Sequence, residues 1–373
     1  MTEAGITIIM VEQKLEKLAE YCDRILLLHE GRQIAFDTPE RIFSRPDLED
    51  YGVKPPICTR LCRALGVKRA DGCYPASHEE VRKLKTQFPE ESLFQKKCVP
   101  DVETKGQEAC GGEVFQIGHL NFRYQEGTPV LRDVTFSLDS RSTAIVGQNG
   151  AGKTTLVKLL KGLLKPVGGS IWYGGEDMAG KTVAMLAGEV GYVFQNPDDQ
   201  IFKYHVLDEV MFGPLNIGMN KEEAERHARE ALKEVGLENL AAENPYDLEL
   251  PERKLVAIAS VLAMDTRVLI LDEPTIAQDW KGRQIIGGII QRLQKQGRTV
   301  VAILHDMDFV SEYFQRVIVM ARGQVLADGT REAVFSRKEV LEKARIEEPS
   351  LMKLCKMLGY EKAYFQLKEG EEV

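Results

Sequence analysis

Four short apolar runs in the chain, at 144–146, 191–195, 267–271 and 299–304, have the length of strands. The run 267–271 is continuously apolar after Arg267, which is typical of a parallel strand covered on both faces. Segments 114–124 and 130–138 instead alternate apolar and polar residues, as antiparallel strands do. The pattern therefore predicts a chain that contains both kinds of sheet.

Helical periodicity dominates residues 205–264, where 221–235 reads as a charged amphipathic helix. Residues 67–112 are rich in turn residues and predict one short helix, 78–87, with Ser77 as its N-cap. Strands and helices together indicate an α/β fold.

A glycine-rich motif follows the apolar run 144–146. Residues 147–154 fit G-x-x-x-x-G-K-S/T, the phosphate loop of nucleotide triphosphatases, and a helical pattern comes directly after it. Glycines let backbone N–H groups surround phosphates, and the following helix N-terminus adds partial positive charge. Lys153 is expected to reach the β- and γ-phosphates, and Thr154 to bind Mg²⁺. The alternative is a glycine-rich turn without a ligand.

Two adjacent carboxylates, Asp272 and Glu273, end the run 267–271. We expect Asp272 to hold Mg²⁺ and Glu273 to polarise the water that attacks the γ-phosphate. A surface acidic pair is the alternative, although surface pairs rarely follow a run of buried apolar residues.

Polar side chains at the ends of two other runs, Gln195 and His305, are expected at the same carboxyl edge, where α/β proteins bind ligands. Gln195 is a candidate for contacting Mg²⁺ or the water, and His305 for orienting that water; a structural histidine is the alternative. Tyr124 is a candidate for stacking on adenine, against the alternative of a tyrosine on the sheet surface.

Length and charge restrict the possible classes. The 373 residues are enough for two domains, and the net charge of −8 without a basic block argues against nucleic-acid binding. The longest apolar runs are too short for a membrane span, and the N-terminal stretch 6–11 does not resemble a secretion signal.

The seven cysteines are an odd number, which favours reduced thiols over a disulfide framework. A metal site is conceivable, but the spacings match no usual paired motif and favour incidental thiols. The residues considered are Cys58, Cys62, Cys73, Cys98 and Cys110.

The start of the chain repeats a segment near its end. Identical residues recur at a constant offset of 292, as in Arg24 and Arg316 or Gly31 and Gly323. After a one-residue shift, Leu61-Cys62 matches Leu354-Cys355. The first copy predicts a strand at 5–11, a helix at 14–21, a strand at 24–28 and a turn at 29–32.

The repeat suggests four segments. Residues 1–66 are interpreted as the C-terminal portion of a first, incomplete nucleotide-binding domain, 67–112 as a linker, 113–337 as a complete domain and 338–373 as a helical extension. Either a separate polypeptide supplies the missing half of this domain, or the sequence is a truncated version of a tandem protein. We expect the incomplete domain to dock on a partner segment, because an isolated two-stranded fragment exposes its core face.

The motifs in order resemble the ATPase domain of ABC transporters, over residues 113–340. This resemblance implies a P-loop NTPase with a RecA-like core, an antiparallel β-subdomain and a helical subdomain, and it implies ATP and Mg²⁺ as ligands. Tyr124 resembles the aromatic A-loop, Gln195 the Q-loop and Asp279 the D-loop aspartate. Asp272 and Glu273 resemble Walker B, and His305 the switch histidine. Walker A is matched by Gly147, Asn149, Gly150, Gly152, Lys153, Thr154 and Thr155.

Two longer segments, 193–202 and 212–218, look like those of cobalt/nickel and energy-coupling factor importer ATPases. This narrower resemblance implies a peripheral subunit on the cytoplasmic face of the membrane that powers uptake of a metal ion or vitamin. The implied partners are an integral-membrane subunit, docked near 205–264, and a second ABC ATPase domain or half-domain.

One element departs from the family. Where the family has L-S-G-G-Q, this chain has Leu248-Glu-Leu-Pro-Glu252, and Pro251 has no N–H to offer a phosphate although it suits the first helical turn. By the repeat, Gln13 stands where the second copy has His305. In the family's head-to-tail dimer, both changes fall on the same composite nucleotide site. We therefore expect an asymmetric pair of nucleotide sites, in which the site built on Lys153, Glu273 and His305 hydrolyses ATP.

Three function classes follow from these motifs: a transport ATPase, a nucleotide-binding scaffold that does not hydrolyse, and an ABC-type ATPase acting on ribosomes or DNA. The motifs favour the first. The altered signature supports the second, and the missing basic arms argue against the third.

Overall fold

The computed structural model describes residues 7–12, 14–98, 112–125, 127–362 and 364–367. Helices are numbered in chain order: α1 Leu15–Tyr21, α2 Pro39–Phe43, α3 Ile57–Leu65, α4 His78–Lys83, α5 Glu91–Cys98, α6 Lys153–Leu160, α7 Val206–Asn216, α8 Lys221–Glu234, α9 Leu250–Leu262, α10 Trp280–Lys295, α11 Met307–Tyr313, α12 Arg331–Phe335, α13 Lys338–Ala344 and α14 Ser350–Leu358. Strands are numbered likewise: β1 Ile25–His29, β2 Arg32–Asp37, β3 Phe115–Phe122, β4 Leu131–Leu138, β5 Thr143–Val146, β6 Gly168–Tyr173, β7 Glu176–Asp177, β8 Val190–Val193, β9 Val268–Asp272, β10 Thr299–Ile303, β11 Arg316–Ala321 and β12 Gln324–Thr330.

Two compact units divide the chain: Met1–Glu103 with Pro349–Val373, and Thr104–Glu348. These units do not coincide with the four segments interpreted from the sequence. Helix α13 packs on β11 and β12, whereas α14 packs on α3 and α4. The segment 338–373 is therefore shared between the units, and linker residues 67–98 fold within the smaller one.

A six-stranded sheet forms the core of the larger unit, in the order β12-β11-β5-β10-β9-β8. Strands β11, β5, β10, β9 and β8 are parallel, and only the edge strand β12 runs antiparallel. Every residue of β5, β8, β9 and β10 is buried. Continuous burial explains the apolar runs, and the predicted α/β fold is confirmed.

A four-stranded antiparallel sheet, in the order β4-β3-β6-β7, belongs to the same unit. Burial alternates along β3 and β4, as the alternating sequence predicts. One hydrophobic cluster joins this sheet, α6 and the parallel sheet, and includes Phe115, Leu120, Ile145, Leu156 and Ile318. Strand β5 and helix α6, which flank the phosphate loop, therefore share one core with both sheets.

Helices α7, α8 and α9 form the helical part predicted at 205–264. The buried residues of α8 are Ala224, Ala228, Ala231 and Leu232, which lie on one face of this otherwise charged helix. The Asn220 side chain caps it by accepting a hydrogen bond from the Glu223 N–H at 2.9 Å.

The smaller unit has two cores. The hairpin β1–β2 packs with α2 around Ile42, Phe43 and Leu48. Helices α3, α4, α5 and α14 enclose a second cluster, in which Phe94 contacts the rings of Tyr360 and Tyr364 at centroid distances of 4.8 and 5.1 Å. The helix predicted at 14–21 and the strand at 24–28 are confirmed as α1 and β1.

The strand predicted at 5–11 is wrong over its described part, because residues 7–12 form no strand. A parallel strand needs backbone partners, as β10 has in β5 and β9. In the smaller unit the described strands are β1 and β2, which pair with each other.

The predicted capping of helix 78–87 is confirmed. Ser77 Oγ accepts a hydrogen bond from the Glu80 N–H at 3.4 Å, and Glu80 Oε2 accepts one from the Ser77 N–H at 3.3 Å. The α-helix ends at Lys83, and a 3₁₀ turn follows it at Lys85–Gln87. The sequence did not predict α5, whose residues show little helical amphipathicity.

Four cysteines, Cys58, Cys62, Cys98 and Cys355, are buried in the helical cluster of the smaller unit. Burial raises the pKa of Cys62 to about 12 and that of Cys98 to about 11. In the parts of the chain that the structure describes, no group of three His, Cys, Asp or Glu side chains is arranged to hold a metal. Cys110 lies outside those parts. None of the described helices is long and apolar enough to cross a membrane.

Replacing Phe94 by alanine is expected to destabilise the smaller unit by about 3–5 kcal/mol, because it removes a fully buried ring and leaves a cavity. Hydrogen exchange of the α3 and α14 amides measures the effect. Leu93→Ala, at an exposed position of the same helix, is the matched control and should change stability by under about 0.5 kcal/mol. Equal effects of the two variants would contradict the assigned core.

Candidate active site

The loop between β5 and α6 is shaped by its glycines. Gly147 has a φ of +150°, and a Cβ there would lie 2.1 Å from the Met320 carbonyl oxygen. Gly152, the N-cap of α6, has a φ of +96°, and a Cβ there would lie 2.7 Å from Leu131 Cδ2. Gly147 requires glycine because an L side chain would clash with backbone, and the positive φ at Gly152 favours glycine because L side chains are strained there.

Lys153 opens α6 and is buried. Its ammonium donates hydrogen bonds to the carbonyl oxygens of Gly147 at 2.7 Å and Gln148 at 2.9 Å. Burial lowers the pKa of Lys153, while the charges of Glu273 and Asp272 oppose this shift. The loop therefore encloses a positive charge at the N-terminus of a helix, an arrangement that attracts phosphates.

Asp272 is the last residue of β9 and is buried. Its Oδ1 accepts a hydrogen bond from Thr154 Oγ1 at 3.4 Å, and its Oδ2 accepts one from the Tyr192 hydroxyl at 3.0 Å. Burial raises the pKa of Asp272, and these two hydrogen bonds oppose the shift. Neighbouring hydroxyl and carboxylate oxygens are ligands of the type that Mg²⁺ prefers, so Thr154 and Asp272 fit that ion.

Glu273 follows directly, with a left-handed backbone φ of +51° that is uncommon for a residue other than glycine. Its Oε2 accepts a hydrogen bond from Gln195 Nε2 at 2.9 Å, and its Oε1 lies 2.8 Å from His305 Nε2. The hydrogen bond to His305 lowers the pKa of Glu273; burial opposes the shift, and the charges of His305, Lys153 and Lys254 reinforce it. The carboxylate is thus ionised and held by side chains from two other strand ends.

Tyr124 lies near the phosphate loop, because its hydroxyl is 3.2 Å from Thr155 Oγ1. Its ring is half exposed and packs edge-on against Phe122 at a centroid distance of 4.8 Å. Stacking of this ring on adenine stays a prediction. Asp279 caps α10, since its Oδ1 accepts a hydrogen bond from the Gly282 N–H at 2.8 Å.

Two site residues were missed by the sequence analysis, Tyr192 and Lys254. Lys254 lies buried in α9, and its ammonium donates a hydrogen bond to the Glu273 backbone oxygen at 3.0 Å. Burial lowers its pKa, against the charges of Glu273 and Asp272. The available signal was a lysine at the start of an apolar helical run, where a charge is unusual unless it has a partner.

The segment that replaces the family signature begins α9. Pro251 lies in the first helical turn, as expected, and its carbonyl oxygen accepts a hydrogen bond from Gln278 Nε2 at 2.9 Å. The Glu249 N–H donates to Glu252 Oε2 at 3.1 Å. A side chain of the segment itself therefore occupies one of the helix's free N–H groups.

Loop, buried lysine and paired carboxylates at the carboxyl edge of a parallel sheet define the class of P-loop nucleotide triphosphatases. Within that class, residues 131–276 match the family model described as ABC transporter. The chain belongs to the ABC transporter ATP-binding protein family, whose cassettes bind and hydrolyse ATP.

Curated relatives agree with this assignment. A Pyrococcus furiosus protein, named as an ABC transporter ATP-binding protein, is 42% identical over 66% of this chain and 94% of its own length. The energy-coupling factor transporter ATP-binding protein EcfA of Methanocaldococcus jannaschii is 40% identical over 66% of this chain and 89% of its own. Three longer relatives match over 93–96% of this chain, which spans only 58–63% of their length.

Among solved structures, cbiO1 from Clostridium perfringens superposes with a TM-score of 0.56 at 36% identity. The match covers 62% of this chain and 94% of that protein, which is described as part of the ABC transporter complex cbiONQ. The similarity covers a single cassette and is consistent with the larger unit having this fold.

Lys153→Ala is expected to weaken ATP binding about 10- to 100-fold, because it removes a charge-assisted contact to the phosphates. Isothermal titration of the purified chain with Mg-ATP measures the affinity. Lys165→Ala, which removes an exposed lysine beyond α6, is the control and should leave the affinity unchanged. Equal affinities of the two variants would contradict the phosphate-binding role of Lys153.

Proposed function

We propose that this chain is the ATP-hydrolysing subunit of an importer of the energy-coupling factor or cobalt/nickel class, which powers uptake of a metal ion or vitamin. The observation that carries hydrolysis is the ionised Glu273 carboxylate, held by Gln195 and His305 beside the Lys153 loop. Similarity to EcfA and cbiO1 supports the importer class.

In the proposed mechanism, Lys153 and the loop N–H groups bind the ATP phosphates, and Tyr124 contacts the base. Glu273 accepts a hydrogen bond from the attacking water and takes up its proton as the γ-phosphate is transferred. Gln195 and His305 fix the direction of that carboxylate. Mg²⁺, when held by Thr154 and Asp272, supplies charge neutralisation at the phosphates.

The proposal includes an asymmetric pair of nucleotide sites. The N-terminus of α9 carries Glu249 at the N-cap and Glu252 in the first turn, and it has no N–H at Pro251, so it is poorly suited to contact a triphosphate in a partner domain. We infer that a partner domain or half-domain with an intact signature completes the Lys153 site. Gln13, the counterpart of His305, lies outside the described residues.

Glu273→Gln is expected to lower ATP turnover about 10²- to 10⁴-fold while ATP still binds, because the amide cannot accept the proton. Phosphate release by the complex with its partner ATPase, together with titration of ATP, separates the two effects. Glu176→Gln, at an exposed position of β7, is the control. If Glu273→Gln retains most of the activity, the proposed turnover at this site is wrong.

The proposed contact with an integral-membrane subunit lies on the helical part of the larger unit. Four exposed aromatic residues lie in α7 or in the loops before α7 and α9: Phe202, Tyr204, Phe212 and Tyr246. The rings of Phe202 and Phe212 meet edge-on at 4.6 Å, and Lys203 Nζ lies 4.7 Å from the Phe212 ring. Exposed aromatic clusters are typical of protein interfaces, and this one supports a peripheral location at the cytoplasmic face of the membrane.

The double variant Phe202→Ala/Tyr204→Ala is expected to lower the affinity for native membrane vesicles at least about tenfold, because aromatic residues contribute strongly to interfaces. Co-sedimentation with the vesicles measures the bound fraction. Trp172→Ala removes an exposed aromatic ring from β6 and should bind normally. Equal loss for both variants, or no loss for either, would argue against this docking surface.

A further inference from the structure

The two copies of the internal repeat fold into the same hairpin. In β1–β2, Ile25 pairs with Asp37 and Leu27 with Ala35; in β11–β12, the positions 292 residues later pair identically. Even the irregularity in register recurs, between Leu27 and Leu28 and between Val319 and Met320. Each residue of β1 therefore has a structural equivalent in β11.

Burial of the equivalent residues differs sharply on one face. In the larger unit, Val301, Ile303, Ile318 and Met320 are each 0% exposed and belong to the cluster around β5 and α6. Their counterparts in the smaller unit are Ile9, Val11, Leu26 and Leu28, which are 91%, 98%, 49% and 59% exposed. We call these four residues the open face.

The larger unit shows what covers such a face. Strand β5 lies between β10 and β11 and pairs in parallel with both, as Ile318 does with Ile145. Helix α6 then contributes Leu156 and Leu160 to the same cluster. Among the described residues of the smaller unit, β1 pairs with β2 alone, and residues 7–12 form no strand. The lack of a strand equivalent to β5 among the described residues of this unit accounts for both the unpaired edge of β1 and the exposed side chains.

We propose that the open face binds a strand–phosphate-loop–helix segment of an ABC-type cassette, equivalent to β5–α6 of this chain. The incoming strand pairs with β1 along its free edge and with residues 7–12 on its other side, a β-augmentation. The apolar side chains of its helix then cover Leu26 and Leu28. This inference rests on the repeat and does not depend on the transported substrate.

The neighbouring residue Phe36 supplies a control. It is 51% exposed and pairs with Leu26 on the same face of the hairpin. Its exposure therefore does not distinguish it from the residues of the open face. Its counterpart on the edge strand of the larger unit is Asp328, which is exposed and accepts hydrogen bonds from Arg316 at 2.7 and 2.6 Å. Arg24, the counterpart of Arg316, lies 5.2 Å from the Phe36 ring. An aspartate at position 36 is therefore compatible with the proposed complex, whereas an aspartate at position 28 would place a charge in the covered apolar face.

The test uses the full chain co-expressed with a tagged segment 113–296 of the same sequence, which contains β5 and α6 but lacks β10 to β12. We expect the tagged segment to retain the wild-type chain and Phe36→Asp equally, and Leu28→Asp at least tenfold less. Equal retention of all three chains, or none of the wild-type chain by a soluble segment, overturns the proposal. So does a dimer of the chain alone that Leu28→Asp dissociates, because a second copy would then be the occupant.

A second measurement applies if the separate segment is insoluble. Segment 113–296 is joined to the N-terminus of the chain by a flexible glycine–serine linker, which raises its effective concentration. Amide exchange of residues 7–12 and 25–29 should slow at least tenfold relative to the unfused chain. Leu28→Asp should abolish this protection and Phe36→Asp should keep it; unchanged exchange in the wild-type fusion contradicts the proposal.

Discussion

Buried charges of opposite sign meet at the carboxyl edge of the parallel sheet, and the rest of the larger unit is arranged around them. Lys153 and Lys254 supply two ammonium groups, and Asp272 and Glu273 supply two carboxylates. A buried charge is costly unless it is paired, so loop, strand end and helix must keep their relative positions. Lys254 lies in α9 but bonds the backbone of Glu273, so the helical part is fastened to the strand end that carries the carboxylates.

Much of this site was predictable because each polar residue follows a buried strand. Gly147–Thr154, Gln195, Asp272, Glu273 and His305 were all recognised from such positions. The structure places Asp272 in one hydrogen-bonded group with Thr154 and Tyr192, and Glu273 in a second with Gln195 and His305. Lys254 was not predicted to take part, because its role depends on the packing of a helix against a strand distant in sequence. Local pattern contains no information on that contact.

The helices and strands likewise divide into those that local sequence specifies and those that depend on contacts distant in sequence. The hairpins β1–β2 and β11–β12 share their register and its irregularity, so the local sequence is sufficient to specify that backbone. Residues 7–12 have the apolar sequence of a strand but form none, because strand formation also needs neighbours. Helix α5 was missed for the opposite reason: its sequence is weakly amphipathic, and packing of Phe94 among α3 and α14 stabilises it.

The pairing of α3 with α14 has a consequence for biosynthesis. Leu61 and Cys62 of the first copy share one core with Leu354 and Cys355 of the second, so the smaller unit is built from both ends of the chain. About 250 residues separate α5 from α14, and at roughly 5–20 residues per second a ribosome needs about 12–50 seconds to translate them. During that interval the larger unit is synthesised and can fold, whereas α3, α4 and α5 cannot complete their shared core until α14 has been translated.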